Sequence, residues 1–269
     1  MTDPQKKKIS PYKPEPQHAS LYKRLDKAFG MASGDYGLLK EGDRILVAMS
    51  GGKDSYTLFH LLKSFQQRVP FKYDVFPVTV NTGFGEFRAN VEKIKEHLKT
   101  VYDSDLHIIE EDFPSIIDNH LTPGTRTCSF CARLRRGSLS TYCKSQNINK
   151  IALGHHADDV IESMLMSQLQ NGRLWTQAPI YENTSNISII RPLMNIYEAQ
   201  IVEFAKIRQF PIIKCNCPSE GDPSHFRAVA KRLVQTLTEQ VPSARQNLLA
   251  TSKQVIKTMR IDNTKDDEL

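Results

Sequence analysis

The chain has 269 residues, 39% hydrophobic and 25% charged, a composition typical of a globular protein with a sizeable core. No apolar run approaches the ~20 residues of a membrane span, and the polar, Lys- and Pro-rich residues 1–17 lack the apolar centre of a secretory signal. We therefore expect a cytoplasmic protein rather than a membrane or secreted one. A formal charge of +6 permits a polyanionic partner such as nucleic acid without requiring one.

Composition and hydrophobic periodicity divide the chain into three expected parts: a basic disordered arm over 1–18, one folded domain over 19–260 and a flexible tail over 261–269. Within the domain, apolar runs of strand length alternate with apolar residues at helical spacing. The predicted strands are 44–49, 73–80, 106–109, 150–153 and 187–190. The predicted helices are 21–32, 56–65, 87–98, 133–142, 157–169, 197–209, 226–237 and 243–259.

This alternation predicts an α/β fold, a parallel sheet sandwiched by helices with right-handed crossovers and a helical C-terminal extension. Ligands of such sheets bind beyond the carboxyl ends of the strands. The loops that follow the first and fourth strands, at Ser50 and Gly154, both lie at that edge. These two loops are therefore the first places to look for a site.

The first strand leads through Ser50–Ser55, with the sequence SGGKDS, into a helix. Glycines let the backbone approach an anion and adopt positive φ, and a helix N-terminus attracts negative charge. Ser50 and Ser55 add hydroxyl donors and Lys53 adds a cation. The loop is shorter than a Walker loop. An ordinary turn would explain two glycines alone, but the full hexapeptide after a strand favours a phosphate site.

The fourth strand is followed by Gly154–Asp159, with the sequence GHHADD. Asp158 and Asp159 are explained by the helix dipole if this loop is taken alone. Beside a phosphate loop on the same sheet edge, they would also suit the Mg²⁺ that screens triphosphate charge. His155 would contact a nucleotide or cap the turn. Adjacent imidazoles rarely face one ion, so we expect no zinc at His155 and His156.

Five cysteines, an odd number, argue against a disulfide scaffold: Cys128, Cys131, Cys143, Cys215 and Cys217. Two close pairs indicate metal or redox chemistry. A thioredoxin-type pair would lie nearer the first strand. Four thiolates suit zinc and three or four suit an iron–sulfur cluster, and spacing does not separate the two. Cys143 stands alone in a helical pattern and is expected in the core.

Several motifs together resemble one family. The SGGKDS loop looks like the pyrophosphatase loop of the N-type ATP pyrophosphatases, which adenylate a carbonyl or amide oxygen. Four further motifs resemble the tRNA 2-thiocytidine synthetase group: CSFCARLRRG (128–137), ALGHHADD (152–159), IRPL (190–193) and FPII (210–213). The resemblance runs from about Leu21 to beyond Arg232. It implies a HUP-type α/β domain, a homodimer, and a [4Fe–4S] cluster bound by three cysteines with one iron open to carry sulfur.

Carried over residue by residue, the resemblance implies three groups of site residues. The ATP-binding residues would be Ala48, Ser50, Gly51, Gly52, Asp54, Ser55, Val80, Gly154 and His155. The catalytic residues would be Asp54, Arg135, Asp158 and Asp159. The cluster ligands would be Cys128, Cys131 and Cys217. The family usually shows Cys-x-x-Cys-Gly-Ser at the third position, whereas this chain has Cys215-Asn-Cys217-Pro-Ser; the Cys-Pro context, similar to that of thiouridine synthetases, favours Cys217 over Cys215.

The implied reaction uses ATP and Mg²⁺ to adenylate the C2 oxygen of an anticodon-loop cytidine (position 32) and replaces that oxygen with sulfur. The partners would be tRNA and a sulfur donor, either a cysteine desulfurase or sulfide. Two alternatives stay open: a paralogue that thiolates another base or a small molecule, and a zinc- and nucleotide-binding module without sulfur transfer. Basic residues that would contact tRNA phosphates, or simply form solvated surface charge, are Arg133, Arg136, Lys231, Arg232 and Lys6–Lys8.

Overall fold

The computed structural model describes residues 12–83, 87–120, 127–213 and 226–262. Within those ranges no helix combines the length and the apolar character needed to cross a bilayer. Tyr12, which precedes the expected domain boundary, packs on the domain, because its ring lies 5.7 Å from the ring of His60. The expected arm before residue 12 and the tail after residue 262 lie outside the described residues and stay predictions.

Strands and helices alternate from the first strand to the fourth helix of the described chain, and less strictly after it. The strands are β1 Arg44–Ala48, β2 Asp74–Asn81, β3 His107–Glu110, β4 Lys150–Ala152, β5 Ile180–Glu182 and β6 Ser188–Ile190. After a short 3₁₀ turn at Pro16–His18, the helices are α1 Ala19–Tyr36, α2 Lys53–Gln66, α3 Phe87–Tyr102, α4 Phe113–His120, α5 Thr127–Ser145, α6 Ala157–Asn171, α7 Glu198–Arg208, α8 Phe226–Gln240 and α9 Ala244–Asp262.

The described strands form one sheet in the order β3-β2-β1-β4-β6-β5. β1 is parallel to both β2 and β4, so the order reverses direction there. A crevice opens at such a reversal, between the loops that leave the two neighbouring strands. The residues that follow Ala48 and Ala152 are consequently neighbours at the carboxyl edge.

The core has two faces because successive side chains of a strand point to opposite sides. Ile45 and Val47 belong to the larger apolar cluster, which contains residues of α1, α2 and α7. Leu46 belongs to the second cluster, together with Leu139 and Cys143 of α5. All three β1 residues are fully buried, as expected for a central parallel strand covered on both faces. The C-terminal helices α8 and α9 pack on α6.

The predicted α/β class is confirmed, with three differences in detail. The sheet has a further edge strand, β5, which pairs antiparallel with β6, so an entirely parallel sheet was wrong for that strand. β5 has three residues, which are too few to show the alternating apolar pattern that predicts a strand. Helix α4 was not predicted. Helix α5 begins at Thr127 rather than near residue 133, because the polar stretch around the cysteines lacks the apolar stripe that marks a helix.

Candidate functional site

The loop between β1 and α2 is shaped to receive an anion. Gly51 has φ +80°, and the N–H of Gly52 donates to Ser50 Oγ at 3.3 Å. Ser55 Oγ donates to the Gly52 carbonyl at 2.9 Å, which fixes the first turn of α2. Gly52 occupies the N-cap position without a capping side chain, so a bound anion can take that place.

Gly51 is also the point where a distant segment closes on the loop. A Cβ on Gly51 would lie 3.0 Å from Ile213 Cδ1, and the N–H of Ile213 donates to the Gly51 carbonyl at 3.0 Å. The positive φ and the absent side chain are therefore both required here. The FPII segment (210–213) is joined directly to the phosphate loop.

The second polar loop touches the first. A Cβ on Gly154 would lie 3.1 Å from the carbonyl carbon of Asp54 and 3.2 Å from its Cβ. Gly154 comes just after β4 and Asp54 lies in the first turn of α2, so the contact joins the two loops of the crevice. Sequence reasoning placed both loops at one sheet edge, and the structure brings them into van der Waals contact.

Asp54 is the carboxylate at this junction. Its Oδ2 accepts from Lys53 Nζ at 3.2 Å. Its Oδ1 is buried and has no hydrogen-bond partner, with His156 Nε2 3.8 Å away. Burial raises the pKa of Asp54, opposed by the charge of Lys53. A buried carboxylate oxygen without a donor is the kind of atom that a cation can bind.

The two carboxylates at the start of α6 have different partners. Asp159 Oδ2 accepts from the His156 N–H at 2.9 Å, which caps the helix, and its side chain is 14% exposed. Asp158 is buried, and its Oδ2 accepts from the Glu198 N–H at 2.6 Å. Its Oδ1 lies 3.3 Å from Arg245 Nε of α9. Asp158 thus holds α7 and α9 against the site.

A charged chain that the sequence did not reveal runs beside the phosphate loop. Lys53 Nζ lies 3.1 Å from Glu198, and Glu198 lies 2.7 Å from Lys231 Nζ. Burial would raise the pKa of Glu198, but the two ammonium groups outweigh it and lower that pKa to about 2. In the sequence Glu198 looks like an ordinary first-turn acid of α7, since its partners are 145 and 33 residues away.

His155 is partly buried at the carboxyl edge of the sheet, between the ends of β4 and β6. Arg191 Nε donates to its Nδ1 at 3.3 Å. Burial and then the charge of Arg191 lower the pKa of His155 to about 3. The remaining residues expected around a nucleotide, Ala48 and Val80, are half-buried at the ends of β1 and β2.

The cysteines divide between α5 and the chain after Ile213. Cys128 and Cys131 lie in the first turns of α5, three residues apart, and Cys131 is half-buried. Arg135 is exposed one turn further on. Cys215 and Cys217 lie outside the described residues. In the ranges that the structure covers, no group of three His, Cys, Asp or Glu side chains is arranged to hold a metal ion. Cys143 is fully buried, which confirms it as a core residue.

Comparison with known proteins shows the family of the chain. The model of the PP-loop domain matches residues 19–234. A tRNA-cytidine(32) 2-sulfurtransferase of Geobacter sulfurreducens is 39% identical over 229 residues, covering 85% of this chain and 88% of the relative. A protein of the same name from Syntrophotalea carbinolica is 39% identical over 230 residues, with the same coverage of both chains.

The fold is also found among solved structures. The U34-tRNA thiolase NcsA from Methanococcus maripaludis, solved with its [4Fe-4S] cluster, superposes with a TM-score of 0.73 at 20% identity, over 89% of this chain and 80% of that one. The chain belongs to the PP-loop family, in the group of the tRNA-cytidine(32) 2-sulfurtransferases. The family resemblance expected from the motifs is confirmed.

Proposed function

We propose that this protein is an ATP-dependent tRNA thiolase that replaces the C2 oxygen of cytidine 32 with sulfur. The observation that carries the proposal is the contact between Gly154 and Asp54, which joins a phosphate loop to a polar loop at the crevice of a PP-loop fold. Cytidine 32 is proposed as the substrate because the sequence relatives are named as sulfurtransferases of that cytidine.

The nucleotide would bind along the carboxyl edge of the sheet. Ser50, Gly51, Gly52 and Ser55 would hold the ATP phosphates, because backbone N–H groups and two hydroxyls cluster at the start of α2, a helix N-terminus that no side chain caps. Ala48 and Val80, at the ends of β1 and β2, would line the base pocket, and Gly154 and His155 would contact the nucleotide from the second loop.

Asp54 fits a magnesium ion. Its buried Oδ1 is without a hydrogen-bond partner, and a hard cation prefers such an oxygen. Asp159, partly exposed at the neighbouring helix start, would share the ion or its water shell. The ion would screen the triphosphate while Asp158, held by Glu198 and Arg245, keeps α7 and α9 in place.

The cysteines fit an iron–sulfur cluster through their donor chemistry and placement. Residues three apart on a helix share a face, so Cys128 and Cys131 can bind one group. Cys215 and Cys217 follow within four residues of Ile213, which is hydrogen-bonded to the phosphate loop. Both cysteines lie outside the described residues, so their part in the proposal rests on their thiolate chemistry and on this closeness in the sequence. When bound by Cys128, Cys131 and Cys217, the cluster would supply one open iron that carries sulfur.

The reaction would proceed in two displacements. The C2 oxygen of the cytidine bonds to the α-phosphorus, and pyrophosphate leaves. A sulfur nucleophile then bonds to C2, and the former base oxygen departs within AMP. Lys53 and the α2 N-terminus would stabilise the phosphates, while Arg135, one turn beyond Cys131, would stabilise charge on the departing group.

The proposal also covers the partners and the location of the protein. The positive charges of Arg133, Arg136 and Arg232 are exposed and suit a tRNA backbone. Lys231 is bound to Glu198, so its charge serves the site at the same time. We also propose a homodimer, a cytoplasmic location, and a cysteine desulfurase or sulfide as the sulfur donor.

The proposal is tested by complementation. The gene is expressed in a host strain that lacks 2-thiocytidine, and tRNA nucleosides are analysed by mass spectrometry. Wild-type protein should restore 2-thiocytidine. Cys131→Ser should not restore 2-thiocytidine. Cys143→Ser alters a buried cysteine outside the site and should restore 2-thiocytidine, provided that the variant folds. Anaerobically purified protein should be brown. A colourless zinc protein, or a strain that gains a different thiolated base, would contradict the proposal.

A further inference from the structure

Arg191 is a buried arginine at the carboxyl edge of the sheet that has no part in the proposed function. It follows β6 directly, and the N–H of Leu153 donates to the Ile190 carbonyl at 2.9 Å, which ties the ends of β4 and β6 together. Arg191 and His155 therefore face each other across two neighbouring strand ends. Arg191 is 8% exposed, unusual for an arginine, which water normally solvates.

Contacts on three sides fix the guanidinium plane of Arg191. Its Nε donates to His155 Nδ1 at 3.3 Å. Its Nη1 donates to the carbonyl of Ala178, in the loop before β5. Its Cζ lies 5.1 Å from the ring centroid of Tyr181 on β5. A planar fork held by a ring nitrogen, a carbonyl and an aromatic face has a single orientation.

The chemistry of a guanidinium determines the proton position on His155. Arg stays protonated and has no acceptor, so the Nδ1 that it faces must be the acceptor. A neutral imidazole with an accepting Nδ1 carries its proton on Nε2. The other charged groups around His155 are Asp159, which favours the imidazolium, and Arg227 of α8 and His156, which oppose it. Burial and the charge of Arg191 outweigh the effect of Asp159, so the neutral imidazole is favoured.

We propose that Arg191 is a positioning residue that holds His155 in the neutral form with a proton on Nε2. His155 then donates one hydrogen bond to an acceptor atom of the bound nucleotide, a ribose or phosphoryl oxygen. This inference rests on the nucleotide-binding part of the proposed function. It assigns a role to the arginine of the IRPL motif (190–193), which contacts the substrate only through His155.

The test measures His155 directly in the full-length protein. Selective ¹⁵N labelling of histidine and two-dimensional NMR at pH 7 distinguish the two neutral forms and the imidazolium, and the His155→Gln spectrum assigns the signal. Equilibrium binding of ATP without tRNA gives the second readout. The variants are Arg191→Met and Arg191→Lys. The control is Arg44→Met: Arg44 also stacks on an aromatic ring, that of Phe76 at 4.7 Å, and donates to backbone carbonyls, but at the amino end of β1.

Wild-type His155 should show the Nε2–H form. Arg191→Met should show a mixture of forms and bind ATP ~10-fold more weakly, the equivalent of one hydrogen bond, while Arg191→Lys keeps the form and stays within ~3-fold. Arg44→Met should change neither readout. A wild-type Nδ1–H form or imidazolium would overturn the proposal even if Arg191→Met fails to fold. An unchanged His155 signal in Arg191→Met, or unchanged ATP affinity, would overturn it as well.

The two proposals fail separately. Both readouts omit tRNA, so a protein that makes no 2-thiocytidine can still show the expected His155 form and ATP affinity. A wild-type protein that binds no ATP would contradict the proposed function itself.

Discussion

The backbone of Gly154 lies so close to Asp54 that a methyl group on Gly154 would be 3.1 Å from the Asp54 carbonyl carbon. The close partner is backbone at the start of α2, which cannot rotate away as a side-chain end can. The relative position of the phosphate loop and the GHHADD loop therefore depends on one missing side chain. In the proposed function, that position would set where the triphosphate lies relative to Asp54.

Gly154→Ala should weaken ATP binding at least ~10-fold, because the added methyl group separates the two loops. The free energy of unfolding should fall by ~1–3 kcal/mol, as for other cases of overpacking. ATP affinity measured calorimetrically and urea unfolding report the two effects. Gly34→Ala is the matched control: Gly34 lies in α1, and its added Cβ would meet no atom within 4 Å. Equal ATP affinities in the two variants would show that the loop contact is unimportant.

Asp54→Asn should abolish most activity while making the protein more stable. The variant removes an ionised carboxylate whose pKa is raised by burial, so the folded state no longer bears that cost, but the oxygen available to a cation loses its charge. Pyrophosphate release should fall more than ~100-fold and the melting temperature should rise. Asp26→Asn, which disrupts a surface pair with Arg68, should leave pyrophosphate release unchanged. Full activity in Asp54→Asn would exclude a role for the carboxylate charge.

Glu198→Gln should destabilise the protein near neutral pH but not in acid. The pKa of Glu198 is held at about 2 by Lys231 and Lys53, below its usual 4.5. Such a depressed carboxyl contributes stability above pH 4.5, and the contribution is lost as the pH falls towards 2. We expect a loss of ~1–2 kcal/mol at pH 7, reduced because the side chain is partly exposed to solvent.

Urea unfolding of both proteins between pH 7 and pH 3 checks the pH dependence of Glu198→Gln, with the exposed Glu239→Gln as control. A difference that grows towards low pH would contradict the ion-pair account.

Glu162→Gln should have the opposite pH dependence. Burial, with a smaller contribution from the charge of Asp159, raises the pKa of Glu162 to about 7. A raised carboxyl pKa leaves stability intact below pH 4.5 and removes it as the pH rises through 7. The variant should therefore match wild type at pH 4.5 and exceed it by up to ~3 kcal/mol at pH 8. Chemical unfolding of both proteins at pH 4.5 and pH 8 measures this difference. A variant more stable than wild type at pH 4.5 would show that the gain in stability does not come from the raised pKa of Glu162.

The strand ends and their loops were predictable because their signals are local. The strand that ends at Ala48 is a short apolar run, and SGGKDS follows it at once. Glycines at such a junction predict a close approach of backbone, which Gly51 and Gly154 both show. The five parallel strands were predicted on the same basis.

The remaining features depend on residues far apart in the chain. Glu198 contacts Lys53 and Lys231 only in the folded chain, where α2, α7 and α8 come together. Arg245 of α9 contacts Asp158 of α6, 87 residues earlier in the sequence. Strand β5 is stabilised by its pairing with β6 rather than by its own three residues. The start of α5 at Thr127 could not be predicted, because the cysteines and arginines of its first turns do not form an apolar stripe at helical spacing.

The central claim is that the loops at Gly154 and Asp54 activate the base oxygen as a leaving group. An anticodon stem-loop with ¹⁸O at C2 of cytidine 32 is incubated with the protein, ATP, Mg²⁺ and a sulfide source under anaerobic conditions, and the products are analysed by mass spectrometry. The account predicts one ¹⁸O atom in AMP for each 2-thiocytidine formed, with unlabelled pyrophosphate. Unlabelled AMP alongside 2-thiocytidine, or ¹⁸O released into water, would contradict it.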